Sequence, residues 1–494
     1  MLSAAHALFI LLSLWGAVCC ASPKDAPSKI VLITIDTLRA DHLSCYGYER
    51  KTSPNIDSLA KKGIVCNNVY APSSWTIPSM ASLFTSVYPI NHGVIHGIGL
   101  KIDQAIYVQE IFSPDLITLA QVLQARGYTT FGVSSHRSLD EKFGFARGFD
   151  CFTCLPFVSA QEVNEAVCAW EDDIKKAEKL FLWIHYFDPH SPYRAQEPWA
   201  REYALQAQTE VLLDLQNNSG AELANQMLNV QTDVLPDHMQ PLRSELTKLM
   251  QNFSDNIIKP QDHSIALYDS EINYVDAHIG RLMKQFNLCD DTLIFITSDH
   301  GEEFLEHGET GHGHNLYQQT LHIPLVVKLP HSQEGAILNQ PISLVDVMPT
   351  ILNIINVDPP SGILGKSFRV EENLLFWLKK KMSVSDIDYN YSEIDTARTL
   401  KAILAPPWKY IYNCKDKTGQ LYNIISDPLE KNDRGGEKTR ERDQLKDQLL
   451  RWVETARRYP TTKYDYELSP EEKEKRLFRV CCTQNLVIQV IFNE

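Results

Sequence analysis

Four stretches of the sequence hold residue types that can do chemistry together. KIVLITI (29–35) runs into Asp36, and TLIFITS (292–298) runs into Asp299-His300-Gly301. Both runs are continuous, apolar and β-branched, the pattern of a strand buried on both faces. In open α/β sheets ligands bind beyond the carboxyl ends of the strands. Two carboxylates and an imidazole at that edge could hold a divalent cation through oxygen and nitrogen. Taken singly, each Asp is better explained as a loop residue capping the next helix.

The third stretch, APSSWTIPSMASLFTS (71–86), sets Thr76 at a helix start with Pro78 in the first turn. Alone, Thr76 is the N-cap of a helix beginning at Ile77. If Asp36 and Asp299 meet it around a metal, its hydroxyl becomes a nucleophile whose pKa the cation lowers. A helix N-terminus also favours an anion there. The fourth signal is histidine: DHGEEFLEHGETGHGH holds His300, His307, His312 and His314, and HYFDPHSPY adds His185 and His190 at and beyond the end of a third apolar run. A lone His is usually structural, whereas a cluster beside acidic strand ends is a more specific sign of a site.

These residues need a scaffold. LFLWIHY (180–186) reads as another buried strand, and IPLVVKL (323–329) as a less regular one. Helix-like segments at 53–62, 115–126 and 264–285 alternate with them, which predicts an α/β sandwich with a largely parallel or mixed central sheet flanked by helices. The polar stretch 200–262 reads as an insertion over the sheet, a lid or a plain surface excursion. The expected units are a leader at 1–21, a catalytic domain at 28–358, a smaller C-terminal α+β subdomain at 359–460 and a tail at 461–494. In the tail, ELSPEEKEK predicts a helix start capped by Ser469, followed by a strand-like apolar end outside the core.

Composition narrows the function. A formal net charge of −15 argues against nucleic acid or an acidic membrane surface as the main partner. An anionic substrate would need a local positive source such as a metal. The apolar stretch Ala7–Val18 followed by small residues resembles a secretory leader and implies export, with a soluble chain after its removal. The remaining cysteines are scattered apart from Cys151 and Cys154, and a lone CxxC is weak evidence of a metal or redox pair. Asn217, Asn252 and Asn390 begin Asn-x-Ser sequons.

At this point the chain resembles the sulfatase family, within the alkaline phosphatase superfamily. ITIDTLRADHLSCYGY and TSPNIDSLAKKG look like the family's opening block, and TIPSMASLFTS lies where the family carries its Cys/Ser-x-Pro-Ser-Arg nucleophile motif. GYTTFGVSSH, FDPHSPY, YDSEINYVDAHIGRL, ITSDHGE and SLVDVMPTIL follow in family order, and WKYIYNCKDKTGQLYNIISDPLEKND resembles the closing sheet. The resemblance implies a large alkaline-phosphatase-like domain and one divalent ion (Mn, Zn, Mg or Ca) held by Asp36, Thr76, Asp299 and His300. It also implies an ester-contacting His190, with His136, His185 and Asp188 expected to line the substrate.

The departures are as informative. Thr76 cannot be converted to formylglycine, Met80 replaces the motif's arginine, Ser134 stands where the family lysine falls, and Thr37 replaces the second aspartate of the usual pair. A threonine nucleophile is similar to the phosphodiesterase and phosphoglycerol or phosphoethanolamine transferase branches. The expectation is therefore an exported metal-dependent hydrolase or transferase of an anionic phosphate or sulfate ester, phosphoester preferred. Thr76 would attack, with His190 and His312 or His314 protonating the leaving oxygen. The alternatives are a sulfuric ester hydrolase working without formylglycine and a catalytically silent, binding member.

Overall fold

The computed structural model describes residues 26–95, 99–101, 106–194, 198–199, 203, 260–368, 389–396 and 398–467. The leader, the 200–262 segment apart from residues 203 and 260–262, the helix start at Ser469, Asn217 and Asn252 lie outside them. Among the described residues, no helix is long and apolar enough to cross a membrane.

The three runs read as buried strands form the centre of an eight-stranded sheet. Its order is Ala336–Ser343, Ile64–Tyr70, Leu325–Lys328, Thr292–Ser298, Lys29–Ile35, Leu180–Tyr186, Thr129–Ser134, Cys151–Cys154. All neighbours are parallel except Leu325–Lys328, which runs antiparallel to both of its own. That strand is shorter than the 323–329 run that predicted it. Successive side chains of a strand point to opposite faces, and the packing divides accordingly. Ile30 and Leu32 join a core with the helices Thr76–Thr85, Leu119–Ala125 and Val347–Ile354. Val31, Ile33 and Ile35 join a second core with Pro54–Ala60, Ala160–Cys168 and Pro260–Gln285. Each aliphatic side chain fully buried this way contributes about 1.5–3 kcal/mol, which is why these runs carry no polar alternation.

The same face as Ile30 and Leu32 also carries Thr34 and, at the strand's end, Asp36. The parallel register pairs Thr34 with His185 and Ile35 with Ser298. One sheet edge therefore collects Asp36, His185 and Asp299, the gathering that the strand-end carboxylates predicted.

Four antiparallel strands, Asn390–Asp395, Thr399–Ala405, Trp408–Asn413 and Thr418–Asn423, form the C-terminal sheet, against which the helix Thr439–Thr455 packs. Ile403, Tyr410 and Leu421 meet Leu445 and Leu449 together with Tyr88, Ile90 and Val345. Ala402, Leu404 and Ile411 join the large core instead. The subdomain thus shares the first core, and a further apolar cluster, with the large domain. A buried ion pair adds a polar lock: Lys409 Nζ lies 3.0 Å from Glu430 Oε1, and Glu430 Oε2 accepts the Gln318 amide at 2.7 Å.

Thr462–Glu467, at the start of the stretch read as a tail, pairs antiparallel with Ile106–Ile111. Cys151 and Cys154 stand three apart on one strand and so face opposite ways, and every described cysteine is a free thiol. Asn390 is buried within a strand and cannot present its sequon.

Candidate active site

The helix behind the nucleophile position begins at Thr76 itself, not at Ile77. Trp75 is its N-cap and makes no side-chain cap bond. The Thr76 hydroxyl caps nothing: Oγ1 lies 3.2 Å from His300 Nε2. The N-cap alternative therefore falls away, because the side chain is turned to the far strand rather than to its own backbone.

His300 is fixed by its other nitrogen. Nδ1 donates to the Gly301 carbonyl at 2.9 Å, which leaves the Nε2 lone pair facing inward. Nε2 lies 3.4 Å from Asp299 Oδ2 and 3.7 Å from Asp36 Oδ1. One ligand atom from each of Asp36, Asp299 and His300 lies within 4.8 Å of the others, and all three residues are buried. Gly301 is required where it stands, since a Cβ there would meet the Gln319 carbonyl at 2.0 Å.

These groups fit a divalent cation. Asp299 Oδ1 accepts the Thr37 and His300 amides at 3.2 and 2.9 Å, but its Oδ2 is buried with no hydrogen-bond donor. Burial pushes Asp299 above the ordinary carboxylate range despite His185 and the two amides, and holds His300 well below the ordinary imidazole value. A bare carboxylate oxygen and a neutral imidazole lone pair, both desolvated and converging, form the mixed oxygen and nitrogen donor set of a metal site. Thr37, following Asp36, adopts φ +55 while its carbonyl accepts the Tyr268 hydroxyl at 2.7 Å. A positive φ is strained for a β-branched residue, and here it accompanies the turn that delivers Asp36.

The histidine-rich loop divides in two. His312 packs against His300 and His190, with ring centroids 4.3 and 4.9 Å away. Its Nδ1 lies 3.0 Å from Glu302 Oε1. Burial pulls its pKa down, but Glu302, with Asp36 and Asp299, outweighs that and the net direction is up. His190 stacks on Phe187 at 4.4 Å and is 6.4 Å from His136. His314 is drawn aside: Nε2 lies 3.2 Å from Glu303 Oε2 and 3.5 Å from Glu309 Oε2. Through these two carboxylates it braces the loop on itself. Thr396 Oγ1 donates to the Gly313 carbonyl at 2.7 Å and Arg398 grips Glu309 at 2.9 and 2.8 Å, so the C-terminal sheet holds this loop.

Of the three residues expected to line substrate, His136 stands beside His190, its Nδ1 accepting the Ser138 amide. Asp188 Oδ2 accepts the Ala160 amide at 2.7 Å, binding its loop to the start of a helix. His185 is fully buried behind Asp36, with Nε2 3.5 Å from Asp36 Oδ2. Burial pulls it to about 4, so it is neutral. Met80 lies in the apolar core, and Ser134 Oγ accepts the His136 amide at 3.1 Å.

Sequence reasoning missed two supports. Glu302 holds His312 on one oxygen and accepts the Tyr193 hydroxyl on the other at 3.3 Å. Arg39, buried, donates to the Glu302 carbonyl at 2.9 Å and pairs with Asp41 and Glu306, tying the loop after Asp36 to the loop after His300. The adjacency of Arg39 to a strand-end Asp was the available signal.

Residues 28–357 match the Sulfatase family, and residues 307–457 match the C-terminal region of N-sulphoglucosamine sulphohydrolase. The chain is 24% identical to an N-acetylglucosamine-6-O-sulfatase of Bacteroides thetaiotaomicron, over 96% of this chain and 93% of that one. It is 23% identical to human iduronate 2-sulfatase, over 81% and 90%. Among solved structures, the phosphonate monoester hydrolase of Agrobacterium radiobacter superposes with a TM-score of 0.61 at 19% identity, covering 89% of this chain and 97% of that one. BT4656, in complex with D-glucosamine-2-N,6-O-disulfate, gives a TM-score of 0.65 at 20% identity, covering 87% and 98%.

Proposed function

The chain belongs to the sulfatase family of ester hydrolases, and from that premise we propose that Thr76 is its nucleophile and that phosphate esters, diesters above all, are its preferred substrates. The observation that carries this reading is the Thr76 hydroxyl, free of any capping bond and 3.2 Å from His300 Nε2 within the Asp36–Asp299–His300 cluster. Asp36, Asp299 and His300 would hold the divalent ion, with Thr76 Oγ1 beside it. When bound, that ion supplies charge stabilisation to the attacking hydroxyl and to the ester oxygens.

The chain's own residues carry the remaining steps. Thr76 Oγ1 forms a bond to the central phosphorus as the bond to the leaving oxygen breaks, and its proton leaves toward solvent or a neighbouring base. His312, its proton favoured by Glu302, gives that proton to the leaving oxygen. His190, packed against His312, lines the path of the leaving group. Water or an acceptor alcohol then forms a bond to phosphorus as the bond to Thr76 Oγ1 breaks; deprotonated His312 takes the nucleophile's proton, and Thr76 Oγ1 regains one from the solvent or base that received its own. A formylglycine hydrate expels sulfate by collapsing to an aldehyde, a route closed to a threonine ester. A threonine phosphate is resolved by in-line displacement. With Met80 and Ser134 where the family carries arginine and lysine, a singly charged diester is better matched than a dianionic monoester. Export remains part of this proposal, resting on the leader-like Ala7–Val18 stretch.

A second reading, hydrolysis of sulfated sugars, is favoured by the names of the two sulfatase relatives. Turnover of matched phosphate and sulfate mono- and diesters, with the metal varied, tests both: faster sulfate-ester hydrolysis overturns the phosphoester preference.

A further inference from the structure

We propose that His185 is a positioning residue of the metal centre, the last link of a buried relay from Trp183 through Thr34 that presents an N–H to Asp36. The inference deepens the metal-centre reading above and rests on it. Its parts come from two adjacent strands. The parallel register sets Thr34 beside His185, while Trp183 lies two residues earlier on the same face. All of Thr34, Trp183, His185 and Asp36 are fully buried.

The direction of the relay follows from donor and acceptor capacity. Indole N–H is donor only, so Trp183 Nε1 donates to Thr34 Oγ1 at 3.1 Å. The Thr34 hydroxyl has one proton and two acceptors in reach, His185 Nδ1 at 2.8 Å and the Ile184 carbonyl at 3.4 Å. Were His185 Nδ1 the donor, with Thr34 donating to Ile184, the Nε2 lone pair would face the Asp36 carboxylate with no proton between them, so Thr34 donates to His185 Nδ1. His185 Nδ1 then accepts, and a neutral ring must carry its proton on Nε2. That nitrogen is buried and has no other hydrogen-bond partner, and 3.5 Å away stands Asp36 Oδ2. The contact is longer than the ~2.8 Å of a charge-assisted bond, and it is expected to close in the loaded site. The other carboxylate oxygen, Oδ1, is the one facing His300. Asp36 is thereby divided, one oxygen held from behind and one turned to the cation. A chain of bonds polarised in one direction strengthens each member, and supports behind a metal ligand set affinity as well as orientation.

The test is calorimetric titration of Mn²⁺ into metal-free, full-length protein. His185→Leu is expected to weaken binding about 10–100-fold. His185→Gln, which retains an N–H donor, should recover most of the affinity, and Thr34→Val should fall between. Nitrogen NMR of the wild type should find Nε2 protonated, and pulsed EPR of bound Mn²⁺ should find one histidine nitrogen, unchanged in His185→Gln. Unaltered affinity in His185→Leu overturns the inference. So does a second nitrogen coupling lost in His185→Gln, which would place His185 among the ligands. If His185→Leu does not fold, Thr34→Val decides. Wild-type protein that takes up no Mn²⁺ would overturn the metal centre itself, whereas equal binding by wild type, His185→Leu and Thr34→Val removes this inference alone.

Discussion

Replacing Thr76 by alanine should separate catalysis from folding. A helix-start Thr usually costs about 1 kcal/mol on truncation because its hydroxyl caps the helix. Here Trp75 is the N-cap and the Thr76 side chain makes no cap bond. The variant loses one buried methyl, about 0.8 kcal/mol. It regains about 0.5 kcal/mol because alanine is the better helix former. Loss of the hydroxyl contact to His300 Nε2 adds about 1 kcal/mol. The net stability change is therefore within about 1.5 kcal/mol. Loss of a covalent nucleophile is of another order, about 10⁴-fold in rate or more, equivalent to about 5.5 kcal/mol. Thermal melting and diester turnover at matched metal occupancy read the two effects apart. A phosphorylated Thr76 peptide trapped at low pH would identify the intermediate, and Thr76→Ser should keep a measurable rate. Should Thr76→Ala retain more than about 1% of wild-type turnover, the nucleophile assignment is wrong.

Asp299→Ala is expected to abolish stoichiometric metal uptake, read by elemental analysis after dialysis; a metal content equal to wild type would refute the ligand set. Lys409→Met leaves Glu430 charged and buried, so melting should show a loss of about 3–5 kcal/mol, and Lys409→Met combined with Glu430→Leu should recover much of it. His92, fully buried against Ser82 Oγ and the Pro78 carbonyl, is pulled down to about 3 by burial. Its neutral form is the folded one, so its contribution is complete above pH 6.5 and is lost as pH falls toward 3. By pH 5 the loss is about 2 kcal/mol, and His92→Gln should show a shallower decline in melting temperature between pH 7 and 5.

The sheet and the gathering of Asp36 and Asp299 at its edge were legible because burial on both faces leaves a plain mark: KIVLITI, LFLWIHY and TLIFITS carry no polar alternation. Ile64–Tyr70 carried no such mark, since IVCNNVY mixes two asparagines into its apolar pattern. What the residues could not disclose was direction. His185 and Asp188 stand in the motif that delivers His190, yet one faces back into the sheet and the other meets the amide of Ala160. His312 and His314 are two residues apart, and their carboxylate partners part them, Glu302 holding His312 while Glu303 and Glu309 draw His314. Thr76 was ambiguous for a related reason, because a cap and a nucleophile occupy the same place in the chain and differ only in what the hydroxyl faces.

The pairing of Thr462–Glu467 with Ile106–Ile111 bears on how the protein is made. Its two strands come from opposite ends of the chain, so during synthesis the earlier one leaves the ribosome long before its partner exists. Until then its backbone donors and acceptors on that side are an open edge, a template for pairing with any extended segment nearby. Gly99–Lys101 covers the other side from the start. The nascent chain therefore carries a half-finished sheet through most of its translation. Expression yield should depend on whatever shields that edge in the meantime, while fragments ending before Thr462 keep it permanently exposed.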